Sequence, residues 1–178
     1  MARLVIADTG PINYLVLIGR IDLLPVLFEK IVVPTPVPAE LSAPNAPSPV
    51  RGWIATLPAW VEVHKTPAND EPDPAFKDIH AGELAAIRLA MTLEADLLLM
   101  DDRKGVNLAR SKGLRVTGTL GILELAAMNG LTDLPLAIER LRQTNFRGPK
   151  TLLDALLRRH SEGSWFELEP TAAPPATA

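Results

Sequence analysis

Two short apolar runs in this chain end in acid. Leu4-Val5-Ile6-Ala7 is followed by Asp8, and Leu97-Leu98-Leu99-Met100 by Asp101 and Asp102. Runs apolar at every position are what strands buried on both faces of a parallel sheet look like. In an open α/β sheet, ligands gather outside the carboxyl ends of the strands, near the point where strand order reverses, so both acidic ends fall on one edge. Carboxylates crowded together raise one another's pKa and repel unless a cation lies between them. Mg²⁺ or Mn²⁺, hard ions held by one or two carboxylates plus waters and substrate phosphate, are natural occupants. Glu40, opening a short helix after Pro38, and Glu83, near the start of a long helix, are further candidates. Each acid also has a plainer role: Asp8 or Asp101 as a helix cap, Glu40 as a solvated side chain, Glu83 as a complement to the positive helix end. Glu83 shares a helical face with Ile79, Ile87 and Ala90, which leans it toward the sheet.

The elements that must position these acids alternate in type. After the first strand, Asp8-Thr9-Gly10-Pro11 leads into a helix, with Thr9 able to cap it and Pro11 harmless in its first turn. Gly19 interrupts that helix, and a second apolar pattern follows from Ile21 to Phe28. Ile31-Val32-Val33 reads as a second strand, and Pro34–Pro38 as a stiff extended connection into the short helix of Glu40 and Leu41. The proline-rich piece 43–49 excludes regular helix or central strand. A short helix over Trp53–Leu57, a strand over Trp60–His64 and an acidic, proline-broken loop over 66–74 come next. The clearest helix runs from about Asp78 to Glu94, with Ile79, Leu84, Ile87, Ala90 and Met91 as its apolar stripe. The second acidic strand follows, then a helix to Lys112 closed by Gly113, a strand over Arg115–Thr117, and helices over Leu120–Asn129, Leu134–Thr144 and Thr151–His160. Strands alternating with helices imply a three-layer α/β/α sandwich around a mostly parallel sheet. Residues 1–160 form one domain in this reading, and 161–178 an extension, mobile or draped from about residue 170.

Composition narrows the chemistry. The chain has 178 residues, 47% hydrophobic and 22% charged, which is a globular mixture. Cysteine is absent, which excludes disulfides, thiolate catalysis and Cys-bound zinc. No apolar run approaches a membrane span and the start lacks a signal-peptide pattern, so a cytoplasmic protein is the simplest expectation. The net charge of −3 is unevenly spread: residues 1–100 hold 7 Lys/Arg against 12 Asp/Glu, while residues 101–159 hold 11 against 6. An acid-rich part beside a basic part suits an anionic ligand presented to a carboxylate-held metal.

The ordered set Asp8-Thr9-Gly10-Pro11, Pro38-Ala39-Glu40-Leu41, His80-Ala81-Gly82-Glu83-Leu84 and LLLMDDRKGVNLAR resembles a PIN domain over about residues 3 to 145, and within that family the VapC-like toxin branch. The resemblance implies an Mg²⁺- or Mn²⁺-dependent ribonuclease, an RNA substrate, a cognate antitoxin and a homodimer. It places Asp8, Glu40, Glu83 and the Asp101-Asp102 pair in the catalytic pocket. Asp8 and the 101–102 pair are then the principal metal ligands with Glu83 beside them; Glu40 and Glu83 complete the water shell, one of them as general base. Which member of the pair faces the metal stays open. Thr9 steadies Asp8 or caps its helix. Arg103 and Lys104 bind phosphate or simply solvate a helix start, and Arg110, Lys112 and Arg115, with Arg140, Arg142 and Arg147 farther on, guide an RNA backbone. His80 reads as a cap or surface residue. The leucines 152, 153, 156 and 157 form a stripe open to core or interface. Val106 departs from the family pattern, in which a basic residue is expected there. Two rivals remain: a PIN-like module that binds RNA or protein without turnover, and an Mg²⁺-dependent phosphatase. The latter wants an acid where Gly10 stands.

Overall fold

The computed structural model describes residues 3–66, 74–77 and 79–163. Among them, five strands form one sheet: β1 (Val5–Ala7), β2 (Ile31–Pro34), β3 (Val61–His64), β4 (Leu97–Leu99) and β5 (Val116–Thr117). Their order is β3-β2-β1-β4-β5 and every pairing is parallel. The chain starts at the centre, winds outward through β2 and β3, then crosses back to place β4 on the other side of β1. Strand order therefore reverses between β1 and β4, which are paired in register with Val5 opposite Leu97 and Ala7 opposite Leu99. Asp8 and Asp101 leave the sheet at that reversal.

Alternation along the strands divides the core into two layers. Val5, Ala7, Val33 and Leu99 face one side, covered by α1 (Thr9–Leu17), α2 (Leu23–Phe28), α7 (Thr119–Met128) and α8 (Leu134–Arg142). Ile6, Val32, Leu98 and Met100 face the other, covered by α5 (Ala81–Thr92) and α6 (Arg103–Ser111). Strands buried on both faces need this double cover, and full burial of each Ile or Leu stabilises by roughly 1.5–3 kcal/mol. The sandwich is thus three-layered and its described sheet wholly parallel.

Local differences from the sequence reading have simple causes. Proline ends the expected extended segments sooner, because its missing N–H is tolerated in a helix's first turn. So α3 (Pro36–Ser42) already begins at Pro36, and α4 (Ser48–Ile54) takes in Pro49. The long helix starts at Ala81, and its buried face is Ala85, Ala86, Ile87, Leu89 and Ala90, leaving Met91 exposed. Helix α9 (Lys150–Glu162) buries Leu153 and Leu156 and packs Leu157 on the core, while Leu152 is exposed. The stripe is mainly core. The expected mobile tail and residues 67–73 of the acidic loop lie outside the described residues.

Candidate active site

Asp8 is set by the sheet itself. Its N–H donates to the Leu99 carbonyl at 2.9 Å, extending the β1–β4 ladder by one residue. The side chain is 5% exposed and makes no cap hydrogen bond to α1, and its Oδ1 has no hydrogen-bond partner. Burial pushes the Asp8 carboxyl up to about 7; the Thr9 backbone N–H opposes the shift, and Glu40, Glu83 and Asp101 add to it. All five candidate acids, Asp8 with Glu40, Glu83, Asp101 and Asp102, line one open cleft of 1380 Å³.

The 101–102 pair divides its work. Asp101 turns toward α7, where it accepts the Thr119 N–H at 2.7 Å and the Thr119 hydroxyl at 2.6 Å. Thr119 is fully buried. A Cβ at Gly118 would stand 3.2 Å from the Met100 carbonyl oxygen and closer still to Asp101 Oδ1, so the chain passes there only as glycine. Asp102 is exposed and caps α6, accepting the Gly105 N–H at 2.9 Å. Burial raises the Asp101 carboxyl, and the two Thr119 donors pull it back.

Glu83 and Glu40 come in from the helices. The Glu83 Oε2 accepts the N–H of His80, the residue preceding α5, at 3.3 Å. Half-buried, its carboxyl is raised first by burial and then by Asp102, with His80 pulling down. Glu40 is exposed on α3 and accepts the hydroxyl of Thr9. Thr9 is therefore the first residue of α1 rather than its cap, and its hydroxyl holds Glu40. Gly82 packs against the Glu40 carboxylate so closely that a Cβ would overlap it. Gly82→Ala should thus hold or slightly raise the melting temperature, since alanine favours a helix by about 1 kcal/mol over glycine, while displacing Glu40. RNA-cleavage assays should show a loss of about 10–100-fold, the size typical of misplaced supporting groups; unchanged activity would show that the position of Glu40 does not matter.

The cations divide too. Arg103, Arg110 and Arg147 line the cleft, whereas Lys104, Lys112 and Arg115 do not. The Lys112 ammonium lies 5.3 Å from the centre of the Phe76 ring. Two features of the cleft escape a reading of local motifs. Thr119 follows the third strand end at this edge, so the strand-end rule applied to β5 points to it. Tyr14, on α1, carries no such signal.

Among the described residues, no three His, Asp or Glu side chains gather as a ready-made set of ligands for one ion. The donors still suit a hard cation. Mg²⁺ takes one or two carboxylates directly and keeps several waters, and a buried, unpartnered Asp8 oxygen beside other acids is the kind of group such an ion satisfies. The phosphatase expectation fares worse, because a Cβ at Gly10 would already lie 3.3 Å from Asp101 Oδ2.

A carboxylate cleft at the switch point of a parallel α/β sheet, with arginines on its wall, defines a site of the nuclease class. Residues 4–162 match a family model described as PIN domain (DUF3368), and the chain belongs to that family. PIN domains are generally nucleases and usually use divalent metals. No curated protein and no solved structure matches the chain.

Proposed function

We propose that this protein is an Mg²⁺- or Mn²⁺-dependent endoribonuclease of the VapC-like kind, the toxin of a type II pair, acting in the cytoplasm as a homodimer restrained by a cognate antitoxin. The observation that carries the nuclease reading is Asp8, a carboxylate buried where strand order reverses, with an unpartnered oxygen and other acids pressing on it. The ordered likeness of the acidic segments to the toxin branch supports the narrower part.

Asp8 and Asp101 would hold the cation directly, with Glu83, Glu40 and Asp102 reaching it through water. When bound, the cation polarises a phosphoryl oxygen, activates water and offsets the charge that develops in an in-line displacement. Thr119 keeps Asp101 in one rotamer through two donors, and Thr9 does the same for Glu40. Glu83 accepts the proton of the attacking water at Oε1, the oxygen that His80 leaves free; a carboxyl raised by burial is better matched to that task near neutral pH. Arg103 and Arg110 contact neighbouring phosphates and set the register of the strand.

The test is RNA cleavage by the purified chain with Mg²⁺, with Mn²⁺ and with EDTA. Cleavage that requires the metal is the expected result. Intact RNA in all three overturns it, and hydrolysis of small phosphoesters in its place restores the phosphatase. Retained RNA binding without cleavage establishes the binding module.

A further inference from the structure

The cleft extends well beyond its acids. Its far wall is the turn between α8 and α9, which approaches Tyr14 of α1. That turn is a built structure. The Thr144 hydroxyl donates to the Leu141 carbonyl at 2.7 Å and accepts the Phe146 N–H at 3.1 Å. The Phe146 ring meets Tyr14 edge to face, with centroids 4.9 Å apart and planes at 87°, a favoured aromatic geometry. A Cβ at Gly148 would stand 2.6 Å from Phe146 Cε1, so glycine is what lets the turn close over the ring. The half-buried Phe146 is flanked by exposed Asn145 and Arg147, which line the cleft.

Arg147 differs from the other arginines of this region. Arg140 donates to the Ile18 carbonyl at 3.4 Å, and Arg142 pairs with Asp154 at 3.4 Å. Arg147 makes no ion pair or hydrogen bond among the described residues. Its charge and that of Asp101 both reach the Tyr14 phenol, which burial raises first, Asp101 raises further and Arg147 lowers. The phenol therefore stands between the acidic end of the cleft and an uncommitted guanidinium.

We propose that Arg147, with Tyr14 and Phe146, forms a second subsite of the cleft that takes the phosphate of the nucleotide next to the scissile one in a single-stranded RNA. The proposal rests on the endoribonuclease reading for the position of the scissile bond. A guanidinium with no internal partner suits phosphate, whose oxygens its fork matches. The strand must be single because Asp8 lies buried at the cleft floor. A phosphodiester reaches it by descending between the walls, which splayed nucleotides do and a stacked duplex does not. The aromatic pair stiffens the wall and offers an apolar edge to the intervening sugar and base.

Binding is measured by anisotropy of a labelled single-stranded oligoribonucleotide in the Asp8→Asn background, where the strand stays intact. Adding Arg147→Ala should weaken binding about tenfold, the loss expected for one hydrogen-bonded charge contact, and reduce the salt slope by about 0.7. Arg51→Ala, which removes an exposed arginine of α4 that does not line the cleft, should change neither. In the active protein, Arg147→Ala should raise KM with kcat unchanged on the longer strand and leave cleavage of a dinucleoside monophosphate, which lacks the neighbouring phosphate, unaltered. Unchanged binding and slope would overturn the subsite even if RNA is cut. Equal, Arg147-dependent binding of duplex RNA would overturn the single-strand assignment. Arg147-dependent binding by a chain that cuts no RNA would leave the subsite standing and remove the nuclease reading.

Discussion

Asp8→Asn should abolish RNA cleavage and at the same time make the fold more stable. The two effects share one cause. In the folded chain the Asp8 carboxyl titrates at about 7, against 3.8 for the ordinary side chain. Between those values the folded state holds a proton that the unfolded chain has released, so stability falls as pH rises through the window and is lowest above it. The ionised carboxylate costs about 4 kcal/mol at neutral pH. Asparagine keeps the shape and removes the charge, so the melting temperature should rise by roughly 8–16 °C at neutral pH. The gain should vanish as pH approaches 4. Mg²⁺ should raise the melting temperature of the natural protein, since an ion bound only to the folded state stabilises it, and should do little for Asp8→Asn. Cleavage should fall by more than ~100-fold, beyond the loss seen when only a supporting partner of a ligand is removed. A variant that melts lower than the natural chain at neutral pH, or that still cuts RNA, would remove the central premise.

What could be seen in advance depended on how far apart the interacting residues lie. Asp8 and Asp101 were visible because each follows a wholly apolar strand, and parallel strands deliver their carboxyl ends to one edge. Gly19 and Gly113, each placed where a helix breaks off, both take a positive φ. Helix starts were less legible where proline intervened, because Pro36 and Pro49 break a strand and yet open a helix equally well. The roles within the 101–102 pair were hidden, since two adjacent residues leaving a strand point in opposite directions and only the neighbours decide which way each goes. Those neighbours are Thr119 and Gly105, contributed by two different helices. Thr9 was expected to act locally, but its hydroxyl reaches Glu40, thirty-one positions away. Charge counting overstated the basic surface: the segment is basic, but Lys112 spends its ammonium on Phe76, and Lys104 and Arg115 lie off the cleft. Arg147 stands in the basic set with Arg140 and Arg142, but of the three it alone lines the cleft, because α7 and α8 carry the backbone round to α1.

Asp101→Asn and Asp102→Asn should behave very differently, although the two residues are adjacent. Asp102 is an exposed helix cap, and asparagine caps as well as aspartate does. That variant should melt within a degree or two of the natural chain and lose at most about tenfold in cleavage, the lower range for an outlying group. Asp101 sits deep in the cleft, held by two donors from Thr119. Its asparagine can still accept the Thr119 N–H, and the hydroxyl can rotate to accept from the new amide, so the fold should survive. Removing a carboxylate that burial already raises should not lower stability. Cleavage should nevertheless fall by more than ~100-fold, because a neutral amide is a much poorer partner for a hard cation. Thr119→Val separates charge from orientation. It leaves the Asp101 carboxylate in place but takes away the hydroxyl that fixes it, and should cost about 10–100-fold, with Thr119→Ser restoring most of the rate. Equal losses at 101 and 102 would mean that the cation is shared between them, and a larger loss at 102 would mean that the cap moves into the cleft on binding substrate.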